Sequence, residues 1–218
     1  MNKRINALLI GDNGVDVWHP LEPARQQLVQ IIGESTNLTV TEDYDSLKEL
    51  SRDEFDVVIS YTDCWLRDLT TEQTAGLITF VAGGGGILVI HNGISLQRSS
   101  ELAQMIGAKF ITHPPYQILS YHGIEPTHPL LEGVPDFVMG EEPYVVEFDP
   151  FAPVKVFLEY EYQGRRYPAA WENGFGLSKI IYLQPGHDAR SFEPEPFRQL
   201  IRNSVVYAAG CRPVTTAT

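Results

Sequence analysis

Three of the six histidines, His19, His91 and His187, fall in turns that follow short apolar runs. An imidazole titrates near neutral pH, so each can give a proton, take one, or bind a metal. The run 7–10 leads into Gly11-Asp12-Asn13 and on to Trp18-His19. The run 57–60 leads into Tyr61-Thr62-Asp63-Cys64-Trp65, and the run 87–90 into His91-Asn92-Gly93. The run 179–183 leads into Gln184-Pro185-Gly186-His187-Asp188. If these runs are parallel strands, the turns converge at one sheet edge, where open α/β sheets bind ligands.

Each residue alone has an ordinary reading. A histidine at a strand end is commonly a loop hydrogen-bonding residue, and Asp63 ahead of a helical turn can simply cap it. The joint pattern is what points to a site. His91 has the backbone setting of a nucleophile elbow, a buried strand followed at once by a tight turn with Asn92-Gly93. That setting exposes the side chain beside backbone N–H groups able to hold an anion. A histidine there serves as base, acid or metal ligand and rarely as a covalent nucleophile. Cys64 follows a different strand and reads as a small buried hydrophobe.

The middle of the chain offers further groups. Glu141-Glu142-Pro143-Tyr144 places two carboxylates and a phenol in a loop, where a solvated acidic turn is the competing reading. His113-Pro114-Pro115-Tyr116 and Thr127-His128-Pro129-Leu130 read first as turns, because proline biases the preceding residue toward extended backbone. Tyr116, Trp18, Trp65 and Trp171 are aromatic surfaces on which a sugar ring can stack, with at least one tryptophan expected in the core.

The elements needed to position these groups are legible as buried strands over 7–10, 57–60, 87–90 and 179–183, with 38–41 as a fifth. Helical spacing links them. Leu28, Ile31 and Ile32 mark a helix over 24–32. Thr70 and Gln73 form a capping-box pattern ahead of the stripe Ala75, Ile78, Val81 and Ala82, which Gly83 ends. Phe197, Leu200, Ile201, Val205 and Ala208 share one face of a closing helix over 196–209. Strand and helix in alternation predict parallel βαβ units. The stretch from about 110 to 171 breaks the rhythm with prolines and short apolar pieces. It is expected to form short antiparallel strands and long loops beside the main sheet, within a single domain over 1–212, with 213–218 a frayed tail.

The chain has 218 residues with 16 Lys+Arg against 28 Asp+Glu, a formal net charge of −12, which argues against nucleic-acid or membrane-surface binding. The uncharged stretch 73–97 is long enough to span a bilayer, but four consecutive glycines, Gly83 to Gly86, would break a spanning helix. No export signal is evident, and the two cysteines, Cys64 and Cys211, are too few for a disulfide framework, so a cytoplasmic location is expected. A homodimer is a reasonable expectation for such a domain, although no residue pattern marks its interface.

In order and spacing these residues resemble the ThuA-like (trehalose utilisation) family, which shares the class I glutamine amidotransferase-like fold. The resemblance runs over nearly the whole chain. It rests on Gly83-Gly84-Gly85-Gly86-Ile87 leading to His91, on Ile106-Gly107-Ala108-Lys109-Phe110 with His113-Pro114, and on His128-Pro129-Leu130 with Gly133. It continues through Glu142-x-Tyr144, then Pro168, Trp171, Gly174, Gly176, and Tyr182-Leu183 before Gly186-His187. It implies a flavodoxin-like doubly wound sheet with an inserted antiparallel segment, a pocket built from His19, Asp63, His91, Glu142 and His187, and a small carbohydrate as ligand. Two departures from the family pattern are Glu141, where Asp is usual, and Ser178-Lys179, where Gly-Arg is usual; both bear on local loop hydrogen bonding.

True glutamine amidotransferases carry a cysteine at the elbow. Here the elbow residue is His91, so thioester glutaminase chemistry is not expected. The leading expectation is an enzyme acting on a small carbohydrate or oxidised sugar. His91 and His187 would be its acid and base, Glu142 would orient one of them, and His19, Asp63, Tyr116 and Tyr144 would contact substrate. A metal-assisted variant places a divalent ion among His19, His91 and His187, although the spacings match no metal signature. The alternative is a non-catalytic sugar-binding or assembly protein on the same fold. Dinucleotide binding has little support, because Gly11-Asp12-Asn13-Gly14 is no GxGxxG and Gly83 to Gly86 precedes a strand instead of following one.

Overall fold

A computed structural model describes residues 4–210. Cys211 and the tail expected to fray lie outside them. One nine-stranded mixed sheet runs through the molecule. Its parallel half is β1 (Ile5–Gly11), β2 (Thr36–Thr41), β3 (Val57–Tyr61), β4 (Gly86–Ile90) and β11 (Ser178–Leu183). These five stand in the order β2-β1-β3-β4-β11, and every adjacent pair is parallel. β3 and β4 are buried at every residue, which is why they read as unbroken apolar runs.

Helices cover both faces. α1 (Leu21–Ile32) and α4 (Glu195–Ala208) pack on one side with Leu9, Ile59, Leu88 and Ile181. α2 (Thr71–Ala82) and α3 (Ser100–Ile106) cover the other with Leu8, Val58, Val89 and Tyr182. The α2 capping box is complete, with Gln73 N donating to Thr70 Oγ1 at 3.2 Å and Thr70 N to Gln73 Oε1 at 2.9 Å. α1 starts three residues before the expected Ala24 because its cap is non-local. Glu22 N donates to Asn13 Oδ1 at 2.7 Å and Leu21 N to Asp12 O at 2.7 Å, so no local cap residue announces the start.

The middle segment supplies an antiparallel half to the same sheet. β6 (Gln117–Gly123), β7 (Phe137–Glu141), β9 (Lys155–Tyr162) and β10 (Arg165–Phe175) extend it beyond β11 in the order β10-β9-β6-β7, while β5 (Ala108–Thr112) and β8 (Val145–Phe148) pair separately. Each pairing from β11 outward is antiparallel, so direction reverses four times and β7 ends at the same edge as the parallel strands. In a flat sheet β7 would lie about 19 Å from β11, four spacings of about 4.8 Å. Yet Gly186, just after β11, donates its N–H to Glu141 Oε2 at the end of β7 over 2.7 Å. The antiparallel half must therefore curl back, and the register shifts between Pro168 and Trp171 mark where strand β10 bends.

The residues 73–97 resolve into α2, a glycine turn, strand β4 and most of a 3-10 helix (His91–Arg98). Among the described residues no helix is long and apolar enough to cross a membrane.

Candidate functional site

The expected convergence of turns is present at the carboxyl edge of the parallel half. His19 lies in the loop after β1, Asp63 follows β3 after one intervening residue, His91 follows β4 at once, and His187 lies in the turn after β11. Glu142 arrives from the far end of the sheet, immediately after β7.

His91 turns sharply off β4 with φ +46°, a left-handed backbone that is costly for a residue with a Cβ. Two glycines make room for this turn. A Cβ on Gly93 would sit 2.4 Å from Ser60 O, and one on Gly186, itself at φ +141°, would sit 2.7 Å from Ile90 Cγ2 and 3.0 Å from His91 Cβ. The elbow was expected to expose its side chain, but His91 is 0% exposed. It forms the floor of the site, with its ring centroid 4.1 Å from that of Tyr144. Its Nδ1 lies 2.7 Å from the carbonyl oxygen of Gln184, so Nδ1 carries the proton and donates. Nε2 is left with a lone pair, buried and without a hydrogen-bond partner, 3.8 Å from Glu142 Oε2. Burial pushes the His91 imidazole down to about 3, so it is neutral near pH 7.

Glu142 draws the other rings together. Its Oε2 lies 3.2 Å from His187 Nδ1 and 3.9 Å from His19 Nε2, and its Oε1 is 3.6 Å from His113 Nδ1. Burial works against a charge there, but the His187 and His19 rings beside it outweigh that and hold the carboxyl far below the usual range. His19 Nε2 and His187 Nδ1 are 3.2 Å apart. Burial opposes a charge on His19 too, yet Asp63 and Glu142 together raise its pKa.

Asp63 does not cap the turn that follows it. No side-chain cap bond forms there; instead Oδ2 accepts the backbone N–H groups of Trp18 at 2.8 Å and His19 at 2.9 Å. The same oxygen stands 3.5 Å from His19 Nδ1. Asp63 is thus a bracket behind His19 and does not reach the cavity.

Above the polar floor is a cavity of about 290 Å³ lined by Trp18, His19, Trp65, Phe110, His113, Glu142, Tyr144 and His187. Trp18 is 72% exposed at its mouth. Trp171 is core, stacked on Tyr182 with its indole N–H on Ile106 O, and takes no part. Tyr116 lies against the His187 ring at 5.5 Å, just outside the lining set. Burial lifts the Tyr144 phenol well above its ordinary value, so it remains protonated. Cys64 is buried and free, with its thiol pushed up by burial, as expected of a packing residue.

The solvated-turn reading of Glu141-Glu142 fails. Glu141 is 0% exposed and its carboxylate accepts the N–H groups of Glu142 at 2.8 Å, Gly186 at 2.7 Å and His187 at 3.3 Å. Burial pushes it up to about 7 although those bonds pull the other way. It ties the β7 end to the turn that carries His187. His128 behaves as its turn signal suggested, accepting Leu130 N at 3.3 Å, remote from the cavity. His113 and Phe110 were not expected on the wall; the proline-rich reading of 113–116 concealed His113, and Phe110 lies on β5. Gln184 was also missed: besides holding His91, its side-chain oxygen accepts the Tyr121 hydroxyl at 3.0 Å and its amide donates to Glu142 O.

A search of curated proteins finds no match. Among solved structures, a ThuA-like protein from Parabacteroides merdae superposes with TM-score 0.82 at 15% identity, covering 99% of this chain and 94% of that one. A second, from Bacteroides uniformis, gives TM-score 0.73 at 20% identity over 96% and 95%. A GH42 β-galactosidase from G. stearothermophilus matches with TM-score 0.63 at 16% identity, over 98% of this chain but 31% of that much longer one. At these identities the likeness is one of fold. The family model described as trehalose utilisation matches residues 8–208, and the chain therefore belongs to the ThuA family.

Proposed function

We propose that this chain binds a small carbohydrate or oxidised sugar in the cavity at the sheet edge and transforms it there, with His91, His187 and Glu142 as the catalytic set and His19, Tyr116 and Tyr144 close to the substrate. The observation that carries the reading is a cluster of three imidazoles and one carboxylate, of which His19, His187 and Glu142 line an aromatic-walled cavity of about 290 Å³ while His91 lies buried behind them. That volume is just under the range of about 300–1,000 Å³ for small-molecule sites and suits a single ring. Apolar faces at Trp18, Trp65 and Tyr144 match the C–H face of a sugar, and the polar floor matches its oxygens. Membership of a family named for trehalose utilisation supports the substrate class. The five-stranded parallel half, in the order β2-β1-β3-β4-β11, is read as flavodoxin-like, which favours ligand binding at this edge.

Chemistry beside a sugar carbonyl needs a lone pair held in place and a group that exchanges protons with solvent. His91 Nε2 supplies the first, and the part-exposed His187 the second. The test is a thermal-shift screen against mono- and disaccharides and their keto derivatives, followed by turnover assays on any stabilising compound. A stabilising sugar that is consumed by the wild type and bound but not consumed by Glu142→Gln meets the expectation. A sugar bound without turnover leaves a binding protein, and no response to any sugar refutes the substrate class.

A further inference from the structure

The geometry assigns His19, His91, Glu142 and His187 as ligands of one divalent first-row transition metal ion. With it bound, the His91 Nε2 lone pair belongs to the ion, and the set acts on the sugar through the ion in place of bare acid–base chemistry. This rests on the carbohydrate reading only for what the ion would polarise.

The first support is convergence. One donor atom from each of the four residues lies within 4.8 Å of the others. A tetrahedral ion with bonds of about 2.05 Å needs its ligands about 3.3 Å apart. The pairs His19 Nε2–His187 Nδ1 and His187 Nδ1–Glu142 Oε2 are each 3.2 Å, and Glu142 Oε2 is 3.8 Å from His91 Nε2 and 3.9 Å from His19 Nε2.

The second support is the direction of the lone pairs. His91 spends its only ring proton on the Gln184 carbonyl, so Nε2 points a bare lone pair at a carboxylate oxygen, fully buried and unpartnered. Such an arrangement is unfavourable unless something positive sits between. His19 faces the same way, its Nδ1 3.5 Å from Asp63 Oδ2 without a hydrogen bond and its Nε2 toward the common point. An outer nitrogen on a carbonyl or carboxylate and an inner nitrogen on the ion is how protein scaffolds orient metal-binding histidines.

A proton is the competing occupant, since one could bridge His19 and His187 or His187 and Glu142. A proton joins two atoms and leaves the His91 lone pair as it was, whereas one ion satisfies all four. Three imidazole nitrogens with one carboxylate oxygen suit zinc, manganese, iron, cobalt or nickel better than calcium or magnesium. His187 and Glu142 line the cavity, so the ion would face the sugar and act as a Lewis acid on a carbonyl oxygen and its neighbouring hydroxyl.

The experiment uses tag-free full-length protein dialysed against a chelator, then titrated with Zn²⁺, Mn²⁺, Co²⁺ and Ni²⁺ by calorimetry, with Co²⁺ absorption and melting temperature as independent readouts. At least one ion is expected to bind at about one equivalent per chain, and to raise the melting temperature. Affinity is expected to fall by about 100-fold in Glu142→Gln and His187→Ala, both checked for native circular dichroism, and by less than about threefold in His122→Ala, at a histidine paired with Asp136 outside the cavity lining. Folded wild type that takes up no ion, or variants that bind like wild type, overturns the assignment. A sugar that stabilises chelated protein while no ion binds overturns the metal and leaves the carbohydrate reading standing. Ion uptake with no sugar response does the reverse.

Discussion

Asp63 never reaches the cavity, yet replacing it should damage the site in a way that separates two of its roles. One carboxylate oxygen accepts both the Trp18 and His19 amides, at 2.8 and 2.9 Å, and the side chain is almost wholly buried. Asp63→Ala strips both amides of their acceptor. Two charge-assisted bonds at about 1.5–3 kcal/mol each give about 3–6 kcal/mol, and relief of the buried carboxylate lowers the net loss to about 3 kcal/mol. For a chain of this length that is about 6–12 °C in melting temperature. Asp63→Asn keeps an oxygen where both amides need it and loses only the charge, so about 1–2 kcal/mol is expected. The Asn variant nonetheless removes the anion beside His19 Nδ1, and ion or ligand affinity should fall about 10–100-fold. Thermal melts and calorimetry on both variants test this. An Ala variant melting with the wild type would refute the bracket, and an Asn variant with full affinity would refute its hold on the His19 ring.

Glu141→Ala should cost about 2–4 kcal/mol and speed amide exchange at Gly186 and His187, whose N–H groups it accepts; unchanged exchange at Gly186 would show that the turn holds itself. Trp18→Ala, at a residue 72% exposed, should leave stability within about 0.5 kcal/mol while weakening any stabilising sugar found in the screen, and equal sugar affinity would remove Trp18 from the binding surface. Glu172 is held down to about 2 by His128 at 3.6 Å and the Tyr207 hydroxyl at 2.8 Å. Its carboxylate is favoured in the fold, so its contribution is complete above about pH 4.5 and is lost as pH falls toward 2. Urea unfolding should show about 1–3 kcal/mol less acid sensitivity in Glu172→Gln than in wild type, and parallel pH curves would contradict it.

The parallel half is legible because its strands are buried on both faces and its turns are polar. An apolar run such as 87–90 ending at His91 carries its own boundary, and the Thr70–Gln73 box announces α2 with residues three apart. What local pattern cannot carry is a partner distant in sequence. The cap of α1 is Asn13, nine residues from the amide it serves, and Asp63 reads as a turn residue until the loop from the neighbouring strand is laid across it.

Glu141 and Glu142 show the same limit in reverse, since part of their signal was present. Along β7, Phe137, Met139 and Glu141 alternate inward while Val138 points out. Period-two alternation therefore places the Glu141 carboxylate on the core face, with Glu142 one step on at the strand end. What alternation leaves open is which strand end lies opposite. Among the described residues β7 pairs only with β6, at the far margin of the sheet, and four reversals of direction together with the bend in β10 bring its end over the turn after β11. The carboxylate that His19, His91 and His187 face is thus delivered by the least regular part of the chain onto a floor built by the most regular part. A substitution straightening β10 near Ala170 should displace Glu142 more than any of the histidines. His19 and His91 hang on parallel strand ends that do not depend on that bend, whereas the His187 turn is tied to the β7 end through Glu141.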